Sequence, residues 1–272
     1  MPLLVKICGL STRETLDAAL AAGADMVGFV FFPPSPRHLS LETARELGGR
    51  VKQRATKVAL TVDADDATLE DIVGALAPDI LQLHGHESPA RVGDIRRKFG
   101  RAVMKALPVE RAADLAPLKG YGAIADRILF DARPPKDATR PGGLGAVFDW
   151  HLLENVDLEP PFMVSGGLHV ANVADAIRIT RASGVDVSSG VERAPGVKDI
   201  EMIHEFIRAA RNSLPPLPVH GERSDRVGDP GEGESPRTRL SPNLRREPLT
   251  PTFSPQERGE GEEAAPLSRI KS

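Results

Sequence analysis

One cysteine, Cys8, serves a chain of 272 residues. It cannot form an internal disulfide, so the fold owes nothing to an oxidising compartment, and a cytoplasmic setting is expected. Positive charge is not in excess either. The 35 Lys and Arg against 38 Asp and Glu leave a formal net charge of −3, which argues against a nucleic-acid partner. No window approaches the ~20 apolar residues of a membrane span. The opening Met1-Pro2-Leu3-Leu4-Val5-Lys6 has too short an apolar run, with no basic segment ahead of it, for a signal peptide. His, Cys, Asp and Glu nowhere show metal-site spacing, since Cys8 is isolated and His84 and His86 lie two apart in a strand-to-loop segment. A soluble protein without a membrane or nucleic-acid partner follows, and composition leaves its oligomeric state open.

What the chain has is a repeated rhythm. Leu3 to Cys8 reads as a short buried strand stopped by Gly9, after which Ser11 or Thr12 caps a helix running to Ala22. Met26 to Phe31 is apolar throughout, as suits a strand buried on both faces, and Ser40 then caps a helix to about Gln53. Further strands are expected at 57–62, 80–84, 102–107, 127–131, 162–165 and 185–189, and further helices at 66–76, 88–99, 110–118, near Trp150, at 170–180 and at 199–212. Strands alternating with helices argue for a parallel sheet, and eight such units in roughly 210 residues favour a closed α/β (β/α)8 barrel over an open sheet.

Beyond residue 213 the character changes. Ten of the chain's 24 prolines lie there and large apolar side chains are scarce. The expected organisation is therefore a catalytic barrel over residues 1–213 and a Pro/Gly/charge-rich, disordered tail over 214–272, which is dispensable for folding and turnover.

In a closed barrel all strand C-termini converge on one face, where barrel enzymes keep their sites. Cys8, His84 and Asp131 end strands one, four and six, and Asp186 lies in strand eight. Cys8 is either a small buried hydrophobe or a base, and as a base its thiol needs a pKa below its ordinary value. Lys6, two residues back on the same side, is a source of positive charge. Asp131 either caps a loop or pairs with Arg133, or carries a proton as an acid. Ser165-Gly166-Gly167 and Ser188-Ser189-Gly190 close strands seven and eight, where barrels often bind phosphate through backbone N–H groups. Gly142-Gly143-Leu144-Gly145 adds a third glycine-rich turn. Each glycine read alone serves only a turn. Arg37 sits in the proline-rigidified Ser35-Pro36-Arg37-His38 and is either a surface residue or a partner for a substrate carboxylate.

These stretches, with Val5-Lys6-Ile7-Cys8-Gly9, Gly23-Ala24-Asp25, Gln82-Leu83-His84-Gly85, Phe148-Asp149-Trp150, Ser165-Gly166-Gly167-Leu168 and Val185 to Glu192, resemble the phosphoribosylanthranilate isomerase family in order and spacing. The resemblance covers residues 3 to about 212. It implies an Amadori rearrangement of N-(5-phosphoribosyl)anthranilate in tryptophan biosynthesis, with no cofactor and a phosphorylated small molecule as partner. Asp131 stands at the family's general-acid position and Cys8 at its general-base position. Arg37 would meet the anthranilate carboxylate, and Gly166, Gly167, Ser189 and Gly190 the phosphate, with His84 and Asp186 in supporting contacts. Asp131-Ala132-Arg133 departs from the many relatives with a hydroxyl residue after the aspartate.

Two other readings make different demands. An aldolase-like lyase needs a Schiff-base lysine, for which Lys105 is the residue to check, and a metal-dependent epimerase needs a ligand cluster. A silent sugar-phosphate binder would keep the glycines and lose Cys8 or Asp131, and both are present.

Overall fold

The computed structural model describes residues 3–134, 138 and 140–213. The tail over 214–272 lies outside the described residues. Eight parallel strands form a closed barrel in sequence order: β1 (Leu4–Cys8), β2 (Met26–Phe31), β3 (Thr56–Thr61), β4 (Ile80–Leu83), β5 (Ala102–Val109), β6 (Arg127–Ala132), β7 (Phe162–Val164) and β8 (Gly184–Val187). β8 returns to pair with β1, setting Lys6 opposite Asp186.

Helices α1 (Arg13–Ala21), α2 (Leu41–Val51), α3 (Asp66–Leu76) and α4 (Pro89–Phe99) follow the first four strands. Their starts come from side-chain chemistry. Thr12, Ser40, Asp65 and Ser88 each accept a hydrogen bond from the backbone N–H three residues on, which satisfies an orphan donor of the first turn. The helix expected over 110–118 is instead a 3-10 turn at Ala112–Leu115 followed by the short α5 (Leu118–Gly122). Asp114 folds back onto the N–H groups of Glu110 and Arg111, and Pro117 interrupts what would be a single helix. α6 (Val173–Thr180) begins three residues later than expected, because Asn172 accepts from the N–H of His169 and donates to the carbonyl of Gly167, holding that stretch as a turn. α7 (Ile200–Asn212) closes the ring. Ahead of it lies an antiparallel hairpin, β9 (Glu192–Ala194) with β10 (Val197–Lys198), which the sequence reading missed.

Period-two alternation along the strands decides what faces the barrel's interior. Leu4, Met26, Val58, Ile80, Met104, Leu129 and Met163 form an apolar floor. The same face two residues further along carries Lys6, Gln82, Asp131 and Asp186, all buried. The opposite faces of the strands pack against the helices in one continuous apolar layer. A polar layer resting on an apolar plug, open toward the strand C-termini, is thus written into every second residue.

Candidate active site

Above that layer two adjoining pockets share Asp131, Gly142, Gly143, Ser165, Asp186 and Ser188. One continues toward Cys8, Arg37 and His84, the other toward the Gly166-Gly167 and Ser188-Ser189 turns. The sequence-selected residues from strands one, two, four, six, seven and eight therefore meet at one mouth.

Cys8 is 4% exposed. The neighbouring strand makes room for it with Gly28, where a Cβ would stand 2.9 Å from the Cys8 Sγ. The thiol does not have the lowered pKa expected for a base. Burial pushes it up, and the positive charges of Lys6 and Lys198 only partly pull it back. Lys6 is fully buried and its Nζ donates to the Asp186 Oδ2 at 2.8 Å. Burial opposes its charge, yet Asp186 and Cys8 hold its pKa above the ordinary lysine value. Asp186 thus reaches the pocket as the counter-ion of Lys6, and its Oδ1 is buried with no partner among the described residues.

Asp131 does not pair with Arg133, which turns away to Asp114 at 2.7 Å. Its Oδ1 instead accepts from the Ala132 N–H at 3.0 Å, and its Oδ2 lies 3.1 Å from the His84 Nε2. The backbone supplies a contact there whatever side chain follows the aspartate.

Arg37 is buried, not a surface residue, and its guanidinium is already engaged. Nε and Nη2 donate to both carboxylate oxygens of Glu192, each at 2.7 Å, and Nη2 also reaches the Gly143 carbonyl at 3.2 Å. Nη1 has no partner among the described residues. Against the effect of burial, Arg37 and Lys198 hold the Glu192 carboxyl below its usual range. Lys198 closes the network, donating to Glu192 Oε1 at 2.7 Å and to the Ser188 carbonyl at 2.8 Å. Both Glu192 and Lys198 belong to the β9–β10 hairpin, so the signal missed in the sequence was an ion pair six residues apart across a Gly-containing turn.

Burial lowers the Lys198 pKa to about 8, with Glu192 opposing. An unfolded lysine titrates near 10.4, so between these values the unfolded chain binds more protons and this group's contribution to stability rises with pH. The unfolding free energy of the native protein should therefore gain about 1 kcal/mol relative to Lys198→Met between pH 7 and 9, read by urea denaturation. A constant difference would place the Lys198 pKa elsewhere.

At the other pocket, Gly166 and Gly167 adopt φ values of +84° and +59°, which turn their backbone N–H groups out of the sheet pattern. Gly190 is required by close approach, since a Cβ there would lie 1.8 Å from the Leu168 carbonyl oxygen. The 3-10 turn at Ser189–Val191 leaves its leading N–H groups without intrahelical partners. Two backbone turns with free donors suit an anionic group.

Lys105, the lysine a Schiff-base reading needs, points out of the barrel. Its neighbours Met104 and Ala106 face the interior, while its Nζ grips Glu87 at 2.9 Å and the carbonyls of Leu83 and Gly85. Among the described residues no group of three His, Cys, Asp or Glu could hold a metal ion, and no helix is long and apolar enough to cross a membrane.

The comparisons agree with this geometry. The family model for N-(5'-phosphoribosyl)anthranilate (PRA) isomerase matches residues 5–209. An N-(5'-phosphoribosyl)anthranilate isomerase of Bradyrhizobium diazoefficiens is 76% identical over 211 residues, covering 78% of this chain and 95% of that protein. One from Rhodopseudomonas palustris is 72% identical over 213 residues, covering 78% and 98%. The crystal structure of phosphoribosyl anthranilate isomerase from Thermotoga maritima superposes with a TM-score of 0.69 at 35% identity, covering 77% of this chain and 99% of that one. A second isomerase structure, at 32% identity, TM-score 0.66 and the same coverage, is a complex with reduced 1-(o-carboxyphenylamino)-1-deoxyribulose 5-phosphate. With one barrel, one mouth and this likeness along the whole of it, the chain belongs to the N-(5'-phosphoribosyl)anthranilate isomerase family.

Proposed function

We propose that this tryptophan-pathway isomerase works by paired proton transfers, with Asp131 as general acid and Cys8 as general base. The observation that carries this reading is that a carboxyl and a thiol from β6 and β1 line one pocket that adjoins two backbone turns with free N–H groups. Asp131 gives its proton to the ribose ring oxygen. The C1–O bond breaks as the anilino nitrogen lone pair forms a Schiff base. Cys8, as thiolate, takes the C2 proton, and the electrons of that C–H bond form the enolamine, which tautomerises to the ketone of 1-(2-carboxyphenylamino)-1-deoxyribulose 5-phosphate.

The raised Cys8 pKa makes the thiolate scarce but strongly basic, and Lys6 lowers the cost of forming it. The Arg37 Nη1, left free while Glu192 occupies the other edge, meets the anthranilate carboxylate. The Gly166-Gly167 and Ser189-Gly190 turns take the phosphate. His84 supports Asp131, and Asp186 acts through Lys6. The barrel over 1–213 is the catalytic unit, operating in the cytoplasm. The family match ends at residue 209, and the relatives are nearly fully covered without a counterpart of the tail.

The test is a fluorescence assay of N-(5'-phosphoribosyl)anthranilate consumption. The full chain should turn over the substrate, and a chain ending at Ser213 should do so at the same rate. An inactive full chain would sink the reading of the site, and a slow truncated one would assign the tail a part in it.

A further inference from the structure

Gln82 has no role in the chemistry above, yet it is the one amide in the polar layer and is fully buried. β4 places Ile80 and Gln82 on its inner face and His84 just past its end, with Ile80 in the apolar floor and His84 at the mouth. The Gln82 Nε2 lies 3.2 Å from the His84 Nδ1, and the His84 Nε2 lies 3.1 Å from the Asp131 Oδ2. The Gln82 Oε1 is buried without a partner among the described residues. An apolar residue between Leu60 and Met104, its register partners on β3 and β5, would fill the layer without that cost. What the amide offers beyond packing is its donor.

We infer that Gln82 is a positioning residue for the proton-donating step, holding His84 in the neutral tautomer with its proton on Nε2 so that the acid's proton stays on Asp131. An amide NH₂ can only donate, so the Nδ1 facing it must accept, and the ring proton is placed on Nε2. Nε2–H then donates to Asp131 Oδ2 while the Ala132 N–H donates to Oδ1. The carboxyl is held at both oxygens, and Asp131 lines the pocket into which its own proton is given. In the other tautomer Nε2 would present a lone pair to the carboxyl, and a proton passing along this 3.1 Å contact to the ring would leave Asp131 a carboxylate with nothing to donate. An imidazolium would also set an N–H on Nδ1 against the N–H of Gln82. Gln82 therefore blocks the side path by which the proton leaves Asp131 for His84 instead of the substrate.

This inference rests on Asp131 as the acid, and the experiment separates the two. The His84 ring nitrogens are read by ¹⁵N NMR in the full chain, with the seven histidines distinguished by the loss of signals in His84→Gln. The native ring should show a bare Nδ1 and a protonated Nε2. Gln82→Met, close in volume, should release the ring to carry a proton on Nδ1 and lower kcat by about 10- to 100-fold with KM little changed, as expected when a reacting group loses its setting. Gln82→Glu, whose carboxylate accepts from Nδ1, should give an imidazolium and at least the same loss. A native ring protonated on Nδ1 overturns the inference without any variant. So does Gln82→Met with native turnover, or with a slowed kcat and an unchanged ring signature. If Asp131→Asn keeps full activity, the acid assignment fails on its own, whatever the ring shows.

Discussion

Asp131→Asn and Cys8→Ser each lower turnover of N-(5'-phosphoribosyl)anthranilate by about 10²–10⁴-fold, the usual worth of a positioned acid or base, while the thermal transition of the protein moves little. Asparagine keeps the planar shape of Asp131 and still accepts from the Ala132 N–H or the His84 Nε2–H, so the β6 mouth holds together. What it cannot do is release a proton. Serine fits the space beside Gly28 that Cys8 fills, but its hydroxyl is far too weak an acid for its conjugate base to form beside Lys6. Unaltered kcat in either variant, with the fold confirmed by its circular dichroism, would remove that residue from the mechanism.

Lys6→Met gives the second large effect, and it is split between stability and activity. Lys6 and Asp186 are fully buried and 5% exposed as side chains and meet at 2.8 Å. Removing the lysine leaves a carboxylate in the barrel interior with neither oxygen partnered, which costs about 3–5 kcal/mol. A double variant, Lys6→Met with Asp186→Leu, replaces both charges by apolar groups and should regain most of that stability. It should not regain activity, because the strongest positive influence on the Cys8 thiol is gone and its pKa rises further. The alkaline rise of kcat/KM then moves to higher pH. Urea denaturation and a pH profile on the two variants check both halves. A double variant with native turnover would show that Lys6 serves only to neutralise Asp186.

The barrel was readable because its signals are local. A capping side chain at Thr12, Ser40 or Ser88 and a buried run at 26–31 act within a few residues of themselves. The convergence of Cys8, His84 and Asp131 was readable because strand ends are placed by topology, and topology follows from the rhythm. What stayed hidden is set by partners distant in sequence. Nothing near Arg37 says that Glu192 waits for it, and nothing near Lys6 announces Asp186. The direction of the thiol's pKa was not legible for the same reason, since it depends on the desolvation that closing the barrel brings. The helix at 110–118 failed differently. Its periodicity is real, but Asp114 offers the backbone N–H groups of Glu110 and Arg111 a local bond in place of helical ones, and Pro117 breaks the run.

The seam at which β8 meets β1 bears on how the protein comes into being. Lys6 and Asp186 are 180 residues apart along the chain, so the loop their contact closes is nearly the whole barrel, and the entropy of closing it is spent late. On the ribosome Lys6 and the thiol emerge first and the rest of their charge network last, with Glu192 and Lys198 behind Asp186. A nascent chain lacking its final strand holds Cys8 and Lys6 without Asp186, the counter-ion of that lysine. Appearance of isomerase activity during synthesis is therefore a clock for seam closure, and a fragment that ends before β8 has nothing to measure.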